Sequence, residues 1–229
     1  MHFDPKYFLF VGPGLLFGAW ASWKVKSTFH RFAKVPVASG MTGAQAAAAV
    51  AREGGAEVTI ERAQGFLSDH YDPRGKVLRL SNDVYDGRSI SAIAVAAHEA
   101  GHAIQDKKAY PWLGIRSSLV PATMIGSSLW IWVFMAGILM QWFALAWVGV
   151  LLFGVVVLFQ LVTLPTEFDA SNRARAVLAS TGIVSNEEEA RGVSQVLNAA
   201  AMTYVAGLVT SILTLLYYAS MLTNRGGRE

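Results

Sequence analysis

Fifty consecutive residues in the middle of this chain carry no charge, and they constrain its fold more than any other feature. The run extends from Ser117 to Thr166, between Arg116 and Glu167. A membrane-spanning helix takes about 20 apolar residues, so the run is long enough for two spans joined by a tight turn. Of the whole chain, 53% is hydrophobic and 15% is charged, which is too apolar for an ordinary soluble domain. We therefore predict an integral membrane protein.

Four apolar stretches qualify as membrane spans, which makes the predicted fold class mainly α. They are residues 7–23, 117–140, 142–164 and 199–222. The expected organisation is an N-terminal transmembrane anchor, a soluble segment, a transmembrane hairpin, a second soluble segment and a C-terminal transmembrane helix, all working as one unit. Their bounds are 1–23, 24–116, 117–164, 165–198 and 199–222.

Basic residues are distributed unequally around these spans. Of 19 Lys and Arg residues, 16 lie in segments 24–116 and 165–198, and cytoplasmic segments carry such an excess. Lys24 and Lys26 follow the first span directly, where this rule is strongest. A cleaved signal peptide is the alternative for the amino terminus, but basic residues after the apolar run favour an uncleaved anchor. Both soluble segments are therefore expected in the cytoplasm.

Local patterns predict helices and a small sheet in the soluble segments. Thr42 with Gln45, and Ser185 with Glu188, fit capping boxes that open helices, and a further helix is expected from Pro165. The remaining predicted elements are two short β-like runs and an Ala-rich helix. They cover Val58–Glu61, Val77–Leu80 and Ser89–Lys107.

The strongest chemical signal is His98-Glu99-Ala100-Gly101-His102, within the Ala-rich predicted helix. Residues four apart lie on one helical face, so both imidazoles can reach a single metal ion. Glu99 lies beside them, where its carboxylate can accept a proton from an activated water. The pattern predicts a Zn²⁺ site; the alternatives are a metal site without catalysis and two histidines paired with neighbouring polar groups.

A catalytic zinc site has three protein ligands and keeps the fourth position for water or substrate. The third ligand must lie on the same side of the membrane as His98 and His102. Glu167 follows the predicted transmembrane hairpin, which returns the chain to that side, and Asp169 is close behind. We predict His98, His102 and Glu167 as the metal ligands; the alternative for Glu167 is a carboxylate stabilised at a helix N-terminus.

Five longer motifs extend beyond the metal ligands. They are SDHYDPR at 68–74, RLS at 79–81, HEAGHAIQ at 98–105, EFDASNRA at 167–174 and AAAMTYV at 199–205. With these motifs the chain resembles the bacterial membrane-bound neutral zinc metallopeptidases, or YugP-like family, over nearly its whole length. The resemblance implies a zinc peptidase of the bacterial inner membrane, with a zincin-like catalytic part of helices and a small sheet at the membrane surface.

The resemblance also implies kinship with the gluzincins, whose third zinc ligand is the Glu of a Glu-x-x-x-Asp pattern. Ser171 stands where that pattern has Asp. The Asp would accept a hydrogen bond from a zinc-bound His and fix its ring. Ser171, Asp169 or Asn172 could take this place, and the sequence leaves the choice open.

The predicted activity is hydrolysis of peptide bonds by a zinc-activated water. Glu99 acts as general base and passes the proton to the leaving amine. The developing oxyanion needs a donor besides the metal, and Arg173 is the first candidate because it follows the third ligand closely. The other candidates are Tyr204, His70 and Tyr71.

The expected partners are a peptide or protein substrate and the lipid bilayer, and no nucleic acid. A β-edge formed by Val77–Leu80 could pair with an extended substrate. Two other functions stay open. A scaffold or holdase with a closed structural zinc site would need a fourth ligand from Asp169 or His70. A site-2-type intramembrane protease would need an Asp inside a later span, and residues 117–164 and 199–222 contain none.

We expect the detergent-purified protein to hold about one zinc ion per chain and Glu167→Ala to hold much less, because two imidazoles alone bind zinc weakly. Elemental analysis of both proteins measures this. Unchanged zinc in the variant would move the third ligand to Asp169 or His70. Absence of metal from both proteins would contradict the peptidase hypothesis.

Overall fold

A computed structural model describes the backbone of residues 5–66 and 68–226 and the side chains of 6–66 and 68–223. Residues 1–4 of the predicted anchor, the Arg225 side chain and the whole of Arg228 lie outside the described residues. In chain order, the helices and strands are α1 (Pro5–Phe32), α2 (Gly43–Glu53), β1 (Thr59–Ala63), β2 (His70–Asp72), β3 (Val77–Ser81), α3 (Asn82–Tyr85), α4 (Ile90–Lys107), α5 (Pro111–Leu139), α6 (Phe143–Ser180) and α7 (Glu187–Gly226). The predicted fold class, mainly α with a small sheet, is confirmed.

The chain forms two compact units. The first comprises Met1–Ala21, Ile115–Leu164 and Thr203–Glu229, and the second comprises Ser22–Gly114 and Pro165–Met202. Within the described part of the chain, all four long helices contribute residues to both units.

The first unit consists of apolar helix segments. Among the described residues, four helices are long and apolar enough to cross a membrane: α1 from Lys6, α5, α6, and α7 to Thr223. Leu9, Trp132 and Leu139 each expose more than 70% of their surface, an arrangement that suits contact with lipid chains and not with water. The four predicted spans are therefore confirmed as apolar helices, and the chain is a membrane protein.

Helix α6 is one helix of 38 residues with Pro165 inside it. The prediction that a separate helix begins at Pro165 is therefore wrong. Proline removes one backbone hydrogen bond from a helix, but membrane-spanning helices tolerate it where local adjustments satisfy the freed carbonyl. As a result, Glu167 lies on the same helix as the third apolar span.

The start of α7 also differs from its prediction. The helix begins at Glu187, and the side-chain oxygen of Asn186 accepts a hydrogen bond from the Glu189 N–H at 2.8 Å. The Glu189 carboxylate in turn accepts from the Ser185 N–H at 3.0 Å. The predicted capping box of Ser185 and Glu188 is therefore wrong by one position, because an asparagine next to the serine competes successfully for the cap.

The second unit contains a three-stranded sheet in the order β1-β3-β2. Strand β3 pairs in parallel with β1 and antiparallel with β2. The two predicted strands are confirmed to within two residues, with β1 beginning at Thr59. The prediction that Val77–Leu80 forms a free edge is wrong, because β3 has a partner on both sides. The edges belong to β1 and β2.

Helix α4 lies at the centre of the second unit. Ser89 caps it by accepting from the Ala92 N–H at 3.3 Å, and 14 of its 18 residues are buried. The α2 helix packs in the same core and opens with the predicted capping box of Thr42 and Gln45. Six of the buried residues on α4 are alanines, whose small side chains let neighbouring backbones approach closely.

We expect Asn186→Ala to reduce the free energy of unfolding by about 1 kcal/mol, because it leaves the Glu189 N–H without its helix cap. Glu188→Ala should have little effect, since Glu188 is exposed. Thermal unfolding of both variants in detergent measures the difference. A larger loss in Glu188→Ala than in Asn186→Ala would restore the capping box at Ser185.

Candidate metal centre

Three predicted ligands meet in the second unit. His98 and His102 lie one turn apart on α4, and Glu167 lies on α6. One potential ligand atom from each of the three lies within 4.8 Å of the others. The Glu167 Oε2 atom is 3.2 Å from Nε2 of His98 and 3.6 Å from Nε2 of His102. Two imidazoles and one carboxylate therefore converge on one point.

The spacing of these atoms fits a tetrahedral ion. Ligand atoms about 2.0–2.2 Å from such an ion are separated by about 3.4 Å. The two observed separations, 3.2 and 3.6 Å, lie on either side of this value. Glu167 is 2% exposed and His102 is 7% exposed, so the ligands are largely shielded from water. Three protein ligands of this chemistry leave a fourth position open, as in catalytic zinc sites.

Helices α4 and α6 come unusually close at Gly101, between the two histidines. A Cβ atom on Gly101 would overlap the carbonyl oxygen of Ala170 and lie 3.1 Å from the Ala170 Cα. Ala170 is itself fully buried. The absence of a side chain at Gly101 is therefore what allows Glu167 to reach the imidazoles.

The outer nitrogen of each histidine has a partner. Nδ1 of His98 lies 3.1 Å from the Ser171 hydroxyl oxygen, and Nδ1 of His102 lies 2.9 Å from Oε1 of Gln105. Of the three candidates for orienting a histidine ring, Ser171 contacts His98 directly. Asp169 is connected to His102 through Gln105, whose Nε2 donates to Asp169 at 2.8 Å. Sequence reasoning missed Gln105, although its position three residues after His102 places it on the same helical face.

Glu99 is 9% exposed and lies next to these ligands on α4 without joining their group. Its charge contributes to the electrostatics of Asp69, which accepts hydrogen bonds from the Ser81 N–H at 2.7 Å and the Ser81 hydroxyl at 3.0 Å. Burial raises the pKa of Asp69 and the Glu99 charge raises it further, while the bonds from Ser81 oppose both effects. The Glu99 carboxylate therefore interacts electrostatically with Asp69, a residue outside α4.

His102 is electrostatically coupled to Glu167. Burial lowers the pKa of His102, but the hydrogen bond and charge of Glu167 outweigh this and raise it overall. The buried carboxylate of Glu167 therefore favours a positive charge at this point, carried by a proton or by a metal ion.

The predicted oxyanion donors lie in different places. Arg173 on α6 donates from Nε to Asp169 at 2.5 Å, and its guanidinium carbon lies 5.5 Å from the centre of the Tyr110 ring. His70 is exposed on β2 and donates from Nδ1 to the Ser68 carbonyl at 2.8 Å.

Two tyrosines complete the set of predicted donors. The Tyr71 hydroxyl donates to Asp106 at 2.5 Å. Burial raises the pKa of Tyr71, and the hydrogen bond to this carboxylate raises it further. Tyr204 lies on α7 within the first unit and is exposed. The role of each of these residues stays a prediction.

Comparison with known proteins identifies the family. A family model described as "Putative neutral zinc metallopeptidase" matches residues 7–223. The chain belongs to this family. A Bacillus subtilis (strain 168) protein named "Putative membrane protease YugP" is 44% identical over 211 residues, which cover 92% of each chain. No solved structure matches the chain. The resemblance drawn from the five sequence motifs is confirmed.

Membership in a zinc metallopeptidase family agrees with the ligand chemistry of the second unit. The family match includes all three residues of the candidate metal centre, together with Glu99 and Gln105. Zinc is thus the metal that both the family and the donor set indicate.

We expect Gly101→Ala to weaken zinc binding by about tenfold or more, because the added methyl group separates α4 from Ala170 and moves the ligands apart. The loss should occur although alanine favours a helix over glycine by about 1 kcal/mol. Zinc affinity is measured by competition with a chromophoric chelator. The matched control is Gly114→Ala, because an added Cβ there lies more than 4 Å from every described atom other than those of its chain neighbours and its own helix backbone. Equal affinity in both variants would contradict the packing argument.

Proposed function

We propose that this protein is a membrane-anchored, zinc-dependent endopeptidase of the gluzincin type. The observation that carries the proposal is the convergence of two imidazoles and one carboxylate, with the carboxylate at the distance from both rings that a tetrahedral ion requires. His102 and Glu167 are 65 positions apart in sequence and come from different helices. Family membership supports the same chemistry. The substrate class that fits is a peptide or protein.

Glu99 is the proposed general base. Zinc, when bound by His98, His102 and Glu167, supplies a Lewis acid that activates a water and polarises the scissile carbonyl. Glu99 accepts a proton from the water and transfers it to the leaving amine. Its position on α4 next to His98 suits this role, because it places the carboxylate beside the metal ligands.

An oxyanion donor is also part of the proposal. Arg173, Tyr204 and His70 remain the candidates. Arg173 would have to act through an N–H that Asp169 does not hold. The hydroxyl of Tyr71 is less suited, because it already donates to Asp106.

The catalytic part is proposed to face the cytoplasm from the inner membrane of a bacterium. The support is the excess of Lys and Arg in residues 24–116 and 165–198, above all the basic residues directly after the first span. Glu167 follows the last apolar residue of the third span, Leu164, by three positions on one continuous helix. The metal centre is therefore proposed to lie just outside the bilayer.

A catalytic site is favoured over a closed structural one. The two residues that could supply a fourth ligand have other partners: Asp169 binds Gln105 and Arg173, and His70 binds the Ser68 carbonyl. Within the described side chains, the metal group has three members. An open fourth position is what a hydrolytic zinc site requires.

We expect Glu99→Gln to lower the rate of peptide cleavage by about 10²–10⁴-fold, because glutamine cannot accept the water proton. Zinc content should be unchanged. Cleavage of casein and of a quenched fluorescent peptide library is measured alongside elemental analysis. Glu57→Gln, an exposed residue, is the matched control and should behave as wild type.

Two outcomes would count against this assignment. Loss of zinc from Glu99→Gln would show that Glu99 supports the site structurally. Undiminished cleavage by the variant would show that another group takes the proton.

A further inference from the structure

Gln105 is a fully buried polar side chain beside the candidate metal centre, and all the hydrogen-bonding groups of its amide are engaged. Its Oε1 lies 2.9 Å from Nδ1 of His102. Its Nε2 donates to the backbone carbonyl of Thr166 at 2.7 Å and to the Asp169 carboxylate at 2.8 Å. Gln105 is 0% exposed, so these bonds are made in a medium where an unpaired polar group is costly.

Chemistry alone determines which way this amide points. The Thr166 carbonyl oxygen can only accept a hydrogen bond, so the group facing it must be the NH₂ of Gln105. Oxygen Oε1 must then face His102, and because an amide oxygen can only accept, Nδ1 of His102 must carry the proton. In the neutral ring, which is the form that binds a metal ion, the lone pair is thereby left on Nε2, the atom that lies 3.6 Å from Glu167.

We propose that Gln105 is the positioning residue that selects the tautomer and ring orientation of His102 for metal binding. It connects α4 to α6, the helix of the third ligand, through the bonds to Thr166 and Asp169. This inference rests on the proposed function, since it concerns the zinc site that the function requires. It assigns to a neutral amide the task that the gluzincin pattern gives to an Asp at the position of Ser171.

Asp169 is held in place for this task from its other side. Arg173 donates to it from Nε at 2.5 Å and from Nη2 at 3.3 Å, and the guanidinium lies over the ring of Tyr110. The resulting chain runs from Tyr110 through Arg173, Asp169 and Gln105 to His102. Arg173 therefore has a positioning role independent of any contact with substrate.

The two histidines are held by different chemistry. His98 faces the hydroxyl of Ser171, and a hydroxyl can donate or accept, so it does not dictate which nitrogen of His98 carries the proton. His102 faces an acceptor only. Removal of Gln105 should consequently affect zinc binding through the His102 tautomer, and not only through lost stability.

The first measurement uses the wild-type protein. Long-range ¹H–¹⁵N correlation spectra of zinc-loaded, ¹⁵N-histidine-labelled protein in detergent show which nitrogen of His102 carries the proton, with the resonances assigned by their loss in His102→Gln. We expect a protonated Nδ1 and a zinc-bound Nε2. Zinc bound through Nδ1 of His102 would overturn the proposal without the need for any Gln105 variant.

The second measurement compares three variants for zinc affinity and for thermal stability in the metal-free state. Gln105→Met keeps an unbranched chain without hydrogen-bonding groups, and we expect its zinc affinity to fall by about 10- to 100-fold. Ser91→Ala is the matched control, because Ser91 is a fully buried residue of the same helix whose hydroxyl donates to the Phe29 carbonyl at 2.7 Å. It should lose stability but bind zinc as wild type does.

Gln105→Glu separates positioning from stability. Its carboxylate still accepts a proton from Nδ1 of His102, but it faces the oxygens of Thr166 and Asp169 and cannot donate to them. We expect it to be less stable than wild type, yet to bind zinc more tightly than Gln105→Met.

The outcomes distinguish this inference from the proposed function. Wild-type zinc affinity in Gln105→Met, or equal zinc affinities in Gln105→Met and Gln105→Glu, would overturn the role of Gln105 and leave the peptidase proposal in place. Absence of zinc binding by the wild-type protein would overturn both. Zinc binding with the expected order of affinities but without peptide cleavage would support Gln105 and contradict the peptidase proposal alone.

Discussion

The close approach of α4 to α6 is the constraint on which the metal centre depends. It is possible because Gly101 presents no side chain to the backbone of Ala170. Burial of alanines along α4 stabilises this contact, since dispersion and apolar burial increase as backbones approach. The same contact determines the distance between the imidazoles and Glu167. Packing and coordination geometry are therefore one property of this protein and cannot be changed independently.

Around this contact, buried and half-buried polar groups form a continuous network of hydrogen bonds and ion pairs. Glu167 faces both imidazoles, Gln105 bridges His102 and Asp169, and Asp169 is bound by Arg173. In a low-dielectric environment each such bond is strong, and each missing partner is costly. A fully paired polar network favours one arrangement of its members, and this helps to hold the ligand atoms in place before a metal ion binds.

Continuity of α6 combines two properties that the sequence presents as separate segments. The apolar stretch to Leu164 and the ligand Glu167 belong to one helix, although Pro165 predicted a break between them. Proline inside a helix costs about 3 kcal/mol, because it removes a backbone hydrogen bond and its ring clashes with the preceding turn. The surroundings of a membrane-spanning helix can offset this cost. The local pattern also misplaced the cap of α7 by one residue. Ser185 and Asn186 are both good capping residues, and it is the Asn186 side chain that accepts from the Glu189 N–H.

The apolar helices, the His-Glu-x-x-His pattern and the family resemblance could be predicted from local sequence, because each depends on residues close together in the chain or on composition. The sequence also indicated Glu167 as third ligand through the return of a hairpin. The central place of β3 in the sheet and the hydrogen bond between Gln105 and His102 emerge only from the folded structure. Those facts depend on contacts between residues distant in sequence, such as Gln105 with Thr166, and no local periodicity records which distant groups meet.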